Sequence, residues 1–464
     1  MTMLRDLPLE RWVVAGVLAL LVWLPLPLAS NRPWSSALLV AAVGGLLVLW
    51  GANLAIGGER RSRRALTAAW PMVALLAAAQ AWVGVQYLVG LTVDTGATLH
   101  ALALGLAYSG LFILVTGVFC TRKRLTWLLG VLLVSGTLQA FYGAFLVLTD
   151  LEWLPFDSGS RQVVTGSYIN RNHLAGYLAM VLSAGIGLML ALRSDRGFRW
   201  HHLPGLLIGP KAWIRLALII MVIALVMTRS RMGNTAFFTS LLVMGGLFTL
   251  ATPTHRIRNA LILSSVLVID LLVITQWFGL DELRERLADT RFTDEVAVVA
   301  DDRGGERTVV VGRENVIRDD ILVYALPQLA ERPLAGFGAG SFESSFQRFP
   351  GRDVTRRYDH THNDFVELTI GRGLIGVAPL AAFVLIAFGF ALRPIMRRQS
   401  GYRSGVGLGS AMGLLALMIH STADFNLQIP ANAATFITLC AIAVLADQHR
   451  RTGSEPFQAS YQQK

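Results

Sequence analysis

Apolar stretches close to the length of a bilayer crossing recur along this chain, and few folds can absorb them. A helix rising 1.5 Å per residue needs about 20 apolar residues to cross roughly 30 Å of hydrocarbon. By that rule about twelve spans are expected, at 12–29, 35–57, 67–88, 99–120, 125–149, 173–192, 212–228, 235–251, 259–280, 374–392, 405–421 and 430–447. The 464 residues are 54% hydrophobic and only 15% charged, with a mean hydropathy of +0.53. The expected fold class is an all-α polytopic membrane protein, which excludes a soluble multidomain enzyme. The first stretch holds Pro25 and Pro27 and lacks a small-residue cleavage site, so a retained helix is expected rather than a signal peptide.

Basic residues give the orientation, because cytoplasmic loops keep Lys and Arg during insertion. With the N-terminus inside, 23 of the 41 Lys and Arg fall in cytoplasmic segments and 5 in short outer loops. The other 13 lie between 280 and 373, a segment long enough to be exempt from the rule. That segment also holds 18 of the 30 acidic residues, so it is net negative in a chain of formal charge +11. The basic excess is a topology signal, and no nucleic-acid partner is expected. Three parts follow: 1–279 with spans one to nine, a long outer loop at 280–373 carrying the polar motifs, and 374–464 with spans ten to twelve and a cytoplasmic tail.

Cys120 and Cys440 fall in or beside apolar spans near the inner side, where no disulfide is expected. Metal-type Cys/His spacing, a phosphate-cradling loop and a dinucleotide fingerprint are all missing, so neither metal nor cofactor is expected and an ATP-driven pump is disfavoured.

The long segment is expected to contain short helices, since structureless loops beyond about 15 residues are uncommon in compact proteins. Leu280, Leu283 and Leu287 recur at helical spacing among charges, as in an interfacial amphipathic helix. A polar turn follows at Asp301-Asp302-Arg303-Gly304-Gly305. A second amphipathic pattern runs from Glu314 to Leu329, with Ile317, Ile321, Leu322, Ala325 and Leu329 on one side, and stops at Pro333. Gly336, Gly338 and Gly340 then call for irregular backbone. Asp364 and Glu367 have capping-box spacing, which starts a helix near Asn363 or Asp364 and puts His362 at its N-terminus.

His362 is the candidate general base, because an imidazole accepts a proton from a hydroxyl near neutral pH; the alternative is a solvated loop histidine. His360, two residues back, is expected to point elsewhere in an extended segment. Arg229 and Arg231 end the seventh span on the outer side, against the charge trend, and either bind a phosphate bidentately or anchor the interface. Arg318, with Arg313 and Arg332 nearby, is a further phosphate candidate whose alternative is a solvated helix face. Asp270 within the ninth span must be paired, hydrated or protonated.

Several motifs carry a resemblance. They are Gly166-Ser167-Tyr168-Ile169-Asn170-Arg171-Asn172-His173-Leu174-Ala175, then Ser230-Arg231, Arg318, and Pro333-Leu334-Ala335-Gly336-Phe337-Gly338-Ala339-Gly340. His362-Asn363 follows, with Gly373 and Gly376 beyond it, and last His420-Ser421-Thr422-Ala423-Asp424-Phe425. Over its C-terminal two thirds the chain resembles the O-antigen ligase family, which includes lipopolysaccharide ligases, repeat-unit polymerases and protein O-oligosaccharyltransferases. The resemblance implies a metal-independent glycosyltransferase of the GT-C type in a bacterial inner membrane, with its active site facing the periplasm and both termini cytoplasmic. Such an enzyme moves a glycan from an undecaprenyl diphosphate carrier to an acceptor hydroxyl, on lipid A core or a growing polysaccharide. By the same resemblance His362 is the base, while Arg231 and Arg318, with Arg229 beside them, hold the diphosphate. Asn170, Asn172, His360 and Asn363 are candidates for contacting sugar or supporting the loop, and Asn170 and Asn172 could equally cap the sixth span.

The acceptor is not legible in these motifs, although Asp424-Phe425-Asn426-Leu427-Gln428-Ile429-Pro430 looks more like exopolysaccharide-cluster members than protein-glycosylating ones. A repeat-unit polymerase is the nearest alternative. A secondary transporter or lipid-linked glycan flippase is the alternative of another class; transporters usually carry internal repeats and a midplane site, and no repeat is evident here.

Overall fold

The computed structural model describes residues 9–56, 63–149, 162–192, 210–252, 256–257, 259–261, 263–264, 296–300, 306–310, 314–349 and 358–449. For 63, 210–211, 296–300, 306–310, 314–320 and 322–323 it describes the backbone alone. The helices in chain order are α1 (Leu9–Trp23), α2 (Pro33–Ala55), α3 (Arg63–Leu88), α4 (Thr95–Val118), α5 (Arg122–Thr149), α6 (Arg171–Ala191), α7 (Pro210–Met227) and α8 (Arg231–Ala251). After them come α9 (Glu314–Glu331), α10 (Phe342–Phe346), α11 (Asp364–Met396), α12 (Gly401–His420) and α13 (Pro430–Gln448).

Nine described helices are long and apolar enough to cross a membrane, against the twelve spans expected. The first expected span is cut to 15 residues because the chain turns after Trp23: Pro25 and Pro27 precede Leu28, Ala29 and Ser30, all in the left-handed region. The apolar part of α7, Ala212–Met227, is also short. Most of the ninth expected span, Asp270 included, lies outside the described residues, as do the amphipathic pattern around Leu283 and the turn at 301–305. The tenth span starts earlier than expected, at Asp364 rather than Leu374, and α11 is broken by Gly373 at φ +62 and ψ 175. The expected all-helical class is found apart from one short ribbon. Strands β1 (Val296–Ala300) and β2 (Glu306–Val310) form an antiparallel ribbon with Val296 opposite Val310.

The centre of the bundle is α6, α12 and α13. Every residue in the apolar window of α13 is buried, against 22% for α2. Small residues allow this packing. A Cβ on Gly187 of α6 would sit 2.7 Å from the Gly405 carbonyl oxygen and the Gly409 Cα of α12, so the two backbones touch. Because α6 and α12 run antiparallel in this contact, the N-terminus of α6 meets the C-terminus of α12 at one end of the bundle.

The second amphipathic pattern of the long segment forms α9, and its buried Ile321 and Ala325 pack with Phe337, Phe342, Phe346 and Ile370 in a small separate core. The glycine-rich stretch 333–340 seals this core to the break in α11. Phe337 N–H donates to Ile370 O at 2.9 Å, Gly338 N–H to Gly371 O at 2.9 Å and Leu374 N–H to Pro333 O at 2.8 Å. Gln86 of α3 completes the seal, donating to Ala335 O at 2.6 Å and Gly371 O at 2.9 Å and accepting from Ala339 N–H at 3.3 Å. Gly373 is required here: its φ and ψ belong almost to glycine alone, and an added Cβ would fall 2.0 Å from Leu334 O.

Candidate functional site

Three helix N-termini open at the same end of the bundle, each capped by its own side chain. Asn170 Oδ1 accepts from Asn172 N–H at 2.8 Å to start α6, Ser230 Oγ accepts from Gly233 N–H at 3.2 Å to start α8, and Asn363 Oδ1 accepts from Phe365 and Val366 N–H at 3.0 and 3.2 Å to start α11. Asn170 and Asn363 are therefore caps. The capping box expected from Asp364 and Glu367 is replaced, because both carboxylates turn inward. Asp364 accepts from Ser421 Oγ at 2.7 Å and Leu427 N–H at 3.0 Å, while Glu367 takes Thr361 N–H at 2.9 Å and pairs with His360 Nδ1 at 2.8 Å. The α12–α13 connection is thereby tied to the first turn of α11.

That connection delivers Asp424 and Phe425 beneath the histidines. Asp424 Oδ1 lies 3.6 Å from both His362 Nδ1 and His173 Nε2, at ion-pair rather than hydrogen-bond distance. Burial opposes a charge on Asp424, but the imidazoles of His173 and His362 and the nearby His420 hold its carboxyl well below the ordinary range. His173 itself is buried in the first turn of α6. The His362 side chain remains about one-fifth open, at 22% exposure.

Phe425 lies against all three imidazoles. His360 stacks on it at 4.0 Å and 18°, and His173 and His362 meet it edge-on at 4.5 and 5.0 Å. His360 and His362 thus converge where alternation in an extended chain separates them. The cause is His362 itself, whose φ of +54 breaks the alternation. Burial disfavours the charged form of His360, yet the charge and hydrogen bond of Glu367 outweigh it and raise its pKa above the ordinary histidine value.

Arg229 and Arg231 are exposed at the α7–α8 turn, where Arg229 is also left-handed at φ +53. The first turn of α8 packs on the same place. A Cβ on Gly233 would lie 2.6 Å from Ala175 Cβ of α6 and 3.3 Å from His420 Cε1 of α12. The structure thus gathers Asn170, Asn172, Arg231, His360, His362 and Asn363 at one end. The backbone of Arg318 is in the N-terminal half of α9, and its side chain lies outside the described residues, as does Arg313. Sequence reasoning gave no role to His173, Asp424 or Phe425, and gave Glu367 only a place in a capping box. His173, Asp424 and Phe425 stand inside the quoted motifs, but only the fold shows that they face His362.

A helical membrane bundle with a histidine–carboxylate cluster at one end, beside exposed arginines, has the parts of a membrane-embedded transferase. A model of the O-antigen ligase family matches residues 216–381, which supports assigning the chain to that family. The match runs from α7 into α11, so it includes Arg229, Arg231, Arg318 and His362 but leaves out His173 and Asp424. No curated protein matches the chain.

Proposed function

We propose that this chain transfers a glycan from an undecaprenyl diphosphate carrier to an acceptor hydroxyl at the periplasmic face of a bacterial inner membrane, the acceptor being lipid A core or a growing polysaccharide. The observation that carries the reading is the buried, ionised Asp424 facing Nδ1 of His362, a histidine inside the family-matched segment. An anion on Nδ1 favours the tautomer with its proton there, which leaves Nε2 as the acceptor of a proton. As the acceptor oxygen attacks the anomeric carbon its proton passes to His362 Nε2, and the bond from that carbon to the diphosphate oxygen breaks. The diphosphate leaves with the bonding electrons. Arg231, Arg229 and Arg318 would balance the charge growing on it, beside helix N-termini that favour anions. This reading needs no metal and no nucleotide sugar.

The excess of Lys and Arg on the opposite side supports a periplasmic site and cytoplasmic termini. On this reading residues 280–373 form the periplasmic loop that carries His362.

His362→Ala and Arg231→Ala are each expected to abolish glycan transfer in membranes while leaving expression intact; undiminished transfer by either variant removes that residue from the mechanism. Purified protein should transfer lipid-linked glycan without a transmembrane gradient, which a flippase or secondary transporter would not do. Deletion should leave polymerised glycan on the carrier if the enzyme is a ligase, and single repeat units if it is a polymerase.

A further inference from the structure

At the end of the bundle opposite the histidines, a cavity of about 350 Å³ is lined by Arg64, Arg397, Gln399, Ser400, Arg403, Asp447 and Gln448. Its walls come from the start of α3, the α11–α12 turn and the end of α13. We propose that it binds the phosphate of an anionic phospholipid headgroup from the leaflet at this end.

Charge is the first argument. Three guanidinium groups face one carboxylate, and that carboxylate is already engaged: Asp447 accepts from Gln399 Nε2 at 2.9 Å and from Gln448 Nε2 at 2.7 Å. Arg64 donates to the neutral Gln448 Oε1 at 3.1 Å, and Arg403 donates to the backbone carbonyls of Asp447 and His449. Arg64 and Arg397 have no carboxylate at ion-pair distance among the described residues. The cavity is left net positive, with donors suited to phosphate oxygens.

Geometry is the second. The N-terminus of α12, capped by Ser400, opens into the same space and adds its partial positive charge. The amides that hold Asp447 and the carbonyls that hold Arg403 build a wall before any ligand arrives. Positive loops are expected on a cytoplasmic face, but topology alone does not require three distant segments to line one cavity. A basic pocket between helix ends at headgroup depth is the kind of site that takes a lipid phosphate.

The test is native mass spectrometry of the full chain released from nanodiscs of zwitterionic phosphatidylcholine doped with phosphatidylglycerol or cardiolipin. Wild type should retain anionic phospholipid, and Arg64→Gln with Arg397→Gln should retain roughly tenfold less. Glycan transfer and thermal unfolding report whether the variant is folded; if the double variant fails to fold, Arg397→Gln alone is compared, with a smaller loss expected. Displacement of the lipid by millimolar inorganic phosphate would identify a soluble phosphate as the ligand and overturn the lipid assignment. Equal retention by wild type and variants, or equal retention of zwitterionic lipid, would overturn the site.

Discussion

The histidine end and the arginine end of the bundle are both polar, yet they hold charge in different ways. At the histidine end the ionisable groups are carboxylates and imidazoles packed together: Asp424 and Glu367 are buried, and three imidazoles share the Phe425 ring. Their places are set by backbone hydrogen bonds from a sealed loop and by capped helix starts. At the arginine end the guanidiniums are permanently charged, and Arg64 and Arg397 stand exposed on helix ends. At the histidine end burial and fixed neighbours set the charge of the Asp424 carboxylate. A group that only attracts an anion can stay solvated.

Substitution at the two ends should separate these designs. His362→Ala at one end should lower transfer by about 10² to 10⁴, the usual worth of a general base, whereas Arg397→Gln at the other should leave the rate unchanged. Comparable losses from both, measured on purified protein in one lipid mixture, would mean that the ends are not functionally distinct.

Two glycines of α11 make a second contrast. Gly373→Ala places a methyl 2.0 Å from the Leu334 carbonyl oxygen in a conformation that alanine avoids, and should cost about 3 kcal/mol in thermal unfolding. Gly389, nearer the arginine end, has nothing within 4 Å of an added Cβ; Gly389→Ala should be stabilising by about 0.5 to 1 kcal/mol. The glutamines follow the same pattern with smaller effects. Gln86→Ala strands buried backbone groups of the 333–340 loop, at a cost of about 2 kcal/mol. Gln399→Ala, at a half-buried position, should cost under about 1 kcal/mol.

Local pattern foretold the features that local physics controls. Apolar length found the helices from α2 to α6, α8, and α11 to α13; helical spacing found α9; and the glycines of 333–340 do fold irregularly. The early end of the first expected span is also a local matter, since Pro25 and Pro27 stop α1 there. What sequence could not supply is contact across the bundle. His173 and Asp424 are more than two hundred residues apart, and nothing in their spacing says that α6 and α12 touch backbone to backbone through Gly187, Gly405 and Gly409. The capping box failed for the same reason: Asp364 and Glu367 have the right spacing, but Ser421, Leu427, Thr361 and His360 compete for their carboxylates.

The smallest expected difference between the ends is in pH. His360 has a raised pKa, so the stability it contributes through Glu367 is complete below the ordinary histidine value and is lost as pH climbs through its own. His449, at the arginine end, behaves oppositely. Burial and the adjacent Arg403 push it down to about 4, so the unfolded chain takes up a proton near pH 6.5 that the folded chain refuses, and stability falls as pH drops from there. By pH 5.5 the loss should be about 1 kcal/mol. His449→Gln should flatten the acid side of a stability profile recorded by thermal unfolding in detergent, and His360→Gln should flatten the alkaline side. If His449→Gln flattened the alkaline side instead, the two ends would not differ in the sense that their burial and charge require.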